Sequence, residues 1–231
     1  MRKLGLMIVA LACLSTASAS ARAPDNFEED YHPPLEVDSP MWMGLELRVG
    51  PYRPGTTSAF RETYQNDRGW MLNVEFDVTL YHIPWVGQLN AGLNWGWANY
   101  DARAIDVDNP GMRADEKTKF TVFPIGLLGI LRVDALARHT VVPLTFAGKI
   151  GYELVRWKAD LGPDDEGKGL NKGLRYGAQA AIELDWFDRG TARRMDEDWG
   201  INHTYLLFEW YESKTKGVGD STFTFGLGAQ F

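Results

Sequence analysis

The 231-residue chain holds a single cysteine, Cys13. It sits in a short apolar stretch near the start, where Ala10-Leu-Ala-Cys13 resembles a lipoprotein attachment site only loosely. The rest of the chain can therefore form no disulfide, even in an oxidising compartment. Long apolar runs are missing too. Leu4–Leu14 covers about ten residues, short of the roughly 20 that a spanning helix needs. No segment keeps a 3.6-residue apolar stripe, so long helices are disfavoured. Positive charge is thin: the formal net charge is −7, the isoelectric point is near 5.1, and no basic cluster stands out. Nucleic-acid binding has no electrostatic support. The four histidines, His32, His82, His139 and His203, never fall at H-x-x-x-H spacing. They read as turn and interface residues, and no metal or cofactor is expected.

What the chain does contain starts with an address. Arg2 and Lys3 precede the apolar run, and small residues Ser15–Ala23 follow it. This is the pattern of a secretory signal peptide, assigned to residues 1–21 with cleavage near 19–23. Residues 22–40 are rich in proline and acids (Glu28, Glu29, Asp30, Glu36, Asp38) and read as an extended periplasmic arm. Residues 41–231 show neither linker nor repeat and read as one domain.

Within that domain, side chains alternate with a period of two in eight segments, starting near Met41, Trp70, Gln88, Lys119, Val142, Leu174, His203 and Ser221. In the second, Trp70, Leu72, Val74, Phe76, Val78 and Leu80 oppose Met71, Asn73, Glu75, Asp77, Thr79 and Tyr81. Such alternation places the two sets on opposite faces of a sheet. The segments are longer than ordinary globular strands, and their polar face is crowded with small residues such as Gly44, Gly92, Gly96, Ala147 and Gly228. Glycine gains nothing on a solvent-facing strand, whereas the interior of an eight-stranded barrel is narrow. The polar face is therefore expected inside and the apolar face outside, against lipid. The predicted fold is all-β: a closed antiparallel up-and-down transmembrane barrel of eight strands. The fourth segment, Lys119–Val133, is apolar on both faces and its register stays open; Arg132 is assigned to the interior.

Connections support the same topology. Tyr52–Gly69, Asp101–Thr118, Lys158–Gly173 and Glu212–Asp220 are expected as long extracellular loops, with Ile83–Gly87 and Asp134–Val141 as short periplasmic turns. Asp188–Asn202 is longer than that rule predicts, and Thr191–Trp199 reads as a short helical turn with Arg194 and Asp198 paired at i, i+4. Trp70, Trp97 and Trp157 at one level, with Trp42, Trp85, Trp186 and Phe231 at the other, suit interfacial aromatic girdles.

The last segment alternates to its final residue, with Phe223, Phe225, Leu227, Ala229 and Phe231 on one face. It looks like the C-terminal strand of bacterial outer-membrane barrels, which the barrel-assembly machinery reads. The segments Gly44–Pro54 (GLELRVGPYRP) and Asp188–Tyr205 (DRGTARRMDEDWGINHTY) resemble a myxobacterial outer-membrane β-barrel family. That family has no established activity, so the resemblance implies location and architecture only: a cell outer membrane, with both termini periplasmic.

The predicted interior gathers Glu46, Glu75, Asp77, Glu153, Glu183, Asp185 and Glu209 against Arg48, Arg132, Lys149 and Arg175. Glu46, Glu75 and Lys149 are expected near mid-height, Glu153 and Arg175 higher, and Arg132, Glu183 and Asp185 together at the periplasmic end. Such charges are expected to pair and to close the lumen, since an unpaired charge there is costly. The alternative is a porin-like channel for a small solute or, because acids outnumber bases, one that prefers cations. Outer-membrane lipid A acyltransferases and deacylases resemble this architecture, but need a His with Ser, Thr or Asp within hydrogen-bond reach at one rim. No enzyme activity and no catalytic residues are expected. The expected function is action through the extracellular loops in surface structure, adhesion or partner binding. The expected partners are the bilayer, lipopolysaccharide (through divalent cations on the acidic loops) and the assembly machinery, with the chain a monomer.

Overall fold

The computed structural model describes residues 41–55, 69–105, 113–162 and 165–231. The predicted signal peptide and arm lie outside the described residues, as do loop acids Asp106, Asp108 and Asp164.

Eight antiparallel strands close into a barrel in the order β1 to β8, each paired with its neighbours in sequence and β8 with β1. They are β1 (Met43–Tyr52), β2 (Gly69–Ile83), β3 (Gly87–Ile105), β4 (Arg113–Val133), β5 (Leu144–Gly162), β6 (Asp165–Glu183), β7 (His203–Ser213) and β8 (Ser221–Gln230). Closure sets Leu45 opposite Ala229 and Leu47 opposite Leu227. The Phe231 carbonyl accepts from Trp42 N at 2.6 Å and Met43 N at 3.0 Å, while Phe231 N donates to the Met43 carbonyl at 2.9 Å. We call the end where β1 starts and β8 finishes the near end, and the opposite one the far end.

The period of two sorts side chains as a barrel requires. Leu45, Leu47, Phe76, Leu93, Ile125, Ile150, Phe208 and Phe223 point outward and are exposed, while Glu46, Arg48, Asn73, Glu75, Lys149 and Glu209 point inward and are buried. The small inward residues make room for the large ones. A Cβ added at Gly96 would lie 2.7 Å from Pro124 Cγ, and one at Gly92 equally near Ile130 Cδ1. The register left open in β4 resolves with Val122, Leu128, Ile130 and Arg132 inside and Ile125, Leu127 and Leu131 outside. Both of its faces are apolar because part of the interior is itself apolar.

Four long strands depart from the expected boundaries. Asp101–Thr118 and Lys158–Gly173 are not long loops: β3 and β4 pair to Ile105↔Arg113, and β5 and β6 to Gly162↔Asp165. Thus Asp160, Asp165 and Glu166 belong to a ladder, and Asp115 and Glu116 lie within β4 at a register irregularity. β6 meets β7 only from Arg175↔Ser213 onward, so its first ten residues, 165–174, rise beyond β7. The wall is tall from β3 to β6 and short from β7 through β8 and β1 to β2.

Connections at the near end carry the helical structure. Helix α1 (Ala135–His139) joins β4 to β5. After β6 the chain makes a 3-10 turn, Leu184–Trp186, where a continuing strand was expected, and then helix α2 (Arg189–Trp199). Asp188 caps α2 by accepting from Thr191 N at 3.0 Å, and Gly200 ends it at φ 67°, the left-handed conformation that glycine adopts at little cost. Arg194 donates to Thr191 Oγ1 at 3.4 Å; its expected partner Asp198 is not paired with it among the ion pairs of the described residues. Trp42, Trp70, Trp85, Trp97 and Trp186 are exposed as girdle residues should be. Trp157 is not: it turns inward, 6.1 Å from the Phe120 ring and stacked on it.

Candidate functional site

The inward residues arrange in three layers. At mid-height Lys149 Nζ donates to Glu75 at 2.5 Å, Glu46 at 2.8 Å and Glu209 at 2.9 Å. An ammonium has three donors, and here each finds a carboxylate. Arg48 bridges the same three acids, at 2.6 Å to Glu75 and 3.5 Å to Glu46 with a further ion pair to Glu209, and reaches Asn94 Oδ1 at 3.1 Å. Gln179 adds a bond to Glu46 at 2.9 Å. The carboxylates of Glu46, Glu75 and Glu209 stand close enough to hold a cation, and the cations there are the chain's own.

Two pairs extend this layer. Toward the far end Arg175 pairs with Glu153 at 3.2 Å and Glu209 at 3.4 Å, with its guanidinium 4.1 Å from the Tyr211 ring centroid. Toward the near end Arg132 pairs with Glu46 and Asp77, each at 3.3 Å, and Asn90 donates to Asp77 at 2.6 Å. Arg132 was expected beside Glu183 and Asp185; its side chain instead joins the central acids. Among the described residues, a cavity beside Glu46 and Arg132 has room for about one water.

The layer nearest the far end is apolar, which the reading of a polar lumen missed. Tyr52, Met71, Ala98, Tyr100, Phe120, Val122, Val155 and Ala159 form it with Val218, which folds in from the β7–β8 connection. The Tyr52 hydroxyl donates to the Val218 carbonyl, and the Tyr100 hydroxyl to the Tyr52 carbonyl. The signal was available: Tyr100 lies in phase with Asn94, Gly96 and Ala98 on the inward face of β3.

The near-end layer holds Glu183, Asp185 and His203. His203 is 1% exposed, not an ordinary turn or interface residue, and its Nδ1 lies 2.7 Å from Glu183 and 2.8 Å from Asp185. Arg138, which the sequence did not single out, reaches from α1 to Glu183 at 2.8 Å. Thr204 donates through its hydroxyl to Asp185 at 2.8 Å. His139 is elsewhere on this rim, its ring 5.0 Å from that of Trp85.

The expected assembly residues Phe223, Phe225 and Leu227 are exposed on the outer face of β8, with Ala229 and Phe231 part-buried below them.

The chain matches no known family model and no curated protein. Among solved structures it is similar in fold to small outer-membrane barrels. The attachment invasion locus protein Ail of Yersinia pestis, solved with the heparin analogue sucrose octasulfate, is 9% identical with a TM-score of 0.47 over 83% of this chain and 97% of its own. Neisserial surface protein A is 10% identical with a TM-score of 0.43 over the same shares. The N-terminal barrel domain of Pseudomonas aeruginosa OprF is 11% identical with a TM-score of 0.44, over 83% and 100%. At such values no residue role passes from those proteins to this one.

Proposed function

We propose that the chain is an integral outer-membrane barrel with a closed interior that acts through its far-end surface, in adhesion, surface structure or partner binding. One observation carries the reading: the distribution of polarity is inside out. Leu47 is 46% exposed on the outer face while its neighbour Arg48 is 1% exposed within. Buried charges in a water-soluble barrel surrounded by exposed Leu, Ile, Phe and Trp would leave an apolar belt far larger than soluble monomers carry. A bilayer reverses that cost. The near end is read as periplasmic from the backbone-tethered Phe231 there; connection length does not carry this reading, because 184–202 between β6 and β7 is longer than 163–164 between β5 and β6 at the far end. The two segments that resemble the myxobacterial family, β1 with its exit and the α2 connection, support the same location.

The closed interior favours a surface role over conduction. Every basic group assigned to the interior is within 3.4 Å of a carboxylate, and the aromatic layer lies above them. Arg138 narrows the acid surplus that a cation channel would need, and His203 engages Glu183 and Asp185 by hydrogen bonding. The near-end cluster meets the His–Asp distance asked of an enzyme, with His203 Nδ1 2.8 Å from Asp185; we read it as structural rather than catalytic because the His203 ring is enclosed and the Thr204 hydroxyl is turned to Asp185 rather than to the ring.

Fractionation tests the reading. The protein is expected in the outer membrane, dependent on detergent and with heat-modifiable migration in gels. Recovery from the periplasm in plain buffer would refute it. In planar bilayers the purified protein should give no current step above leak; a reproducible cation-selective step would favour the channel.

A further inference from the structure

Outward-facing charge is unevenly shared around the barrel. The outward positions of β1, β2 and β8 carry no lysine or arginine between Met43 and Pro51, Trp70 and His82, or Ser221 and Ala229. On the opposite wall, Arg156 and Lys158 of β5, Lys168 and Lys172 of β6, and Lys214 and Lys216 just after β7 all face outward and are exposed. Register packs them together. Lys158 stands directly across from Lys168, and Arg156 from Leu170, which puts Lys168 and Lys172 on the diagonals of Arg156. Like charges directly opposite on one face of an antiparallel pair destabilise it. Among the described residues the acids at outward positions of this wall are Glu212, already bound to Lys214 at 3.1 Å, and, at the upper edge, Asp160 with Glu166 directly across from it. Below that edge Arg156, Lys168, Lys172 and Lys216 outnumber the outward acids, a surplus that an external anion would complement.

The patch also has a shape. Leu154, Leu170, Asn171, Lys172 and Lys216 line a groove on the outer wall. Asn171 Nδ2 donates to the Lys216 carbonyl at 2.7 Å, and Gly217 at φ 80° turns the chain just beyond it. That bond holds the Lys216 backbone beside β6, and Lys172 and Lys216 both line the groove. Its floor is apolar, with Leu170 66% and Leu154 43% exposed. That floor continues through Leu174 and Tyr152 into the belt read as lipid-facing.

We propose that this groove binds the phosphate groups of a phosphorylated glycolipid in the surrounding leaflet. Lys172 and Lys216 would flank the phosphate, Arg156 and Lys168 stand beside it, and Leu154 and Leu170 meet the first part of the acyl region. Two features select a lipid over a soluble anion: the leucine floor, and a level immediately above the apolar belt, where headgroups lie. Long basic side chains with apolar stems suit that boundary. The proposal rests on the outer-membrane reading and gives it a specific lipid contact.

The test uses the full-length protein in detergent, titrated with bisphosphorylated lipid A and with its dephosphorylated counterpart. Wild type should prefer the phosphorylated form. The variant K172Q/K216Q should bind it about 30-fold more weakly, from two basic groups at an anionic surface. K119Q, on the same face but beside Asp101 and Asp160 in register, should bind as wild type does. Equal affinity of wild type and double variant would overturn the site. So would displacement of the lipid by equimolar soluble sulfated glycan, which would mean a soluble polyanion site. Heat-modifiable migration is followed in every sample. A wild type that needs no detergent fails the membrane reading, whereas a correctly inserted barrel without phosphate preference fails this proposal alone.

Discussion

Around Lys149 the barrel is filled with charge; around Tyr100, closer to the far end, it is filled with rings. With the same inward parity, one barrel is filled by opposite chemistry at two levels, the upper one by β1 to β5 with Val218 from the β7–β8 connection. In the middle, Arg48 and Lys149 share Glu46, Glu75 and Glu209, so each group's desolvation is offset by several partners at once. In the aromatic layer, contact replaces complementarity, and polar demands are confined to hydroxyls such as those of Tyr52 and Tyr100. Removing a partner from a buried ionic network leaves an uncompensated charge, which costs more than the pair contributes. The middle should therefore be brittle and the aromatic layer tolerant.

The largest effect is expected at Arg48. Arg48→Met leaves Glu75 with only Lys149, and Glu209 with Lys149 and the longer contact to Arg175; it should lower stability by about 3–5 kcal/mol, read from urea unfolding by the heat-modifiable gel shift. A double-mutant cycle with Glu75→Gln sharpens the contrast. The two changes should cost less together than their sum, with a coupling of about 0.5–3 kcal/mol. Additive losses would mean that the layer is not a network.

In the aromatic layer the matching change is smaller. Tyr52→Phe keeps the ring and removes the hydrogen bond to the Val218 carbonyl, for a loss of about 0.5–1.5 kcal/mol by the same assay. Amide exchange at Val218 and Gly219 should quicken, because that bond holds the connection over the opening. A loss as large as that of Arg48→Met would erase the distinction between the layers.

The sequence made the two levels unequally legible. Parity identifies the inward face of every strand except β4, including Lys149 and Glu153 of β5 and Arg175 and Glu183 of β6, and strand direction alone places Glu46, Glu75 and Lys149 together. The upper halves of β3 to β6 were read as loops for a physical reason. Beyond the apolar belt a strand meets water on its outer face, so Lys158, Lys168 and Lys172 replace the apolar residues and the period-two contrast fades. The aromatic layer was missed at the same height, since Tyr52 was assigned to a loop and Trp157 to a girdle. Arg138 was illegible for another reason. It lies in a turn, and only the length of its side chain brings it under the barrel to Glu183.

The near-end rim offers the gentlest test, because α2 lies outside the strands and its cap is exposed. Hydrogen bonds from the Thr191 backbone and hydroxyl hold the Asp188 carboxyl below its ordinary range. A carboxylate whose pKa is lower in the folded state contributes stability above its unfolded value, near 3.9. That contribution is lost as pH falls through the folded value. Protection factors at Thr191 and Ala192, corrected for the intrinsic pH dependence of exchange, should therefore fall under acid while those of the strand amides hold. Asp188→Ala should produce the same local loosening at neutral pH and abolish its acid dependence. A global loss of protection in that variant would show that α2 is part of the barrel's cooperative unit rather than an attachment to its rim.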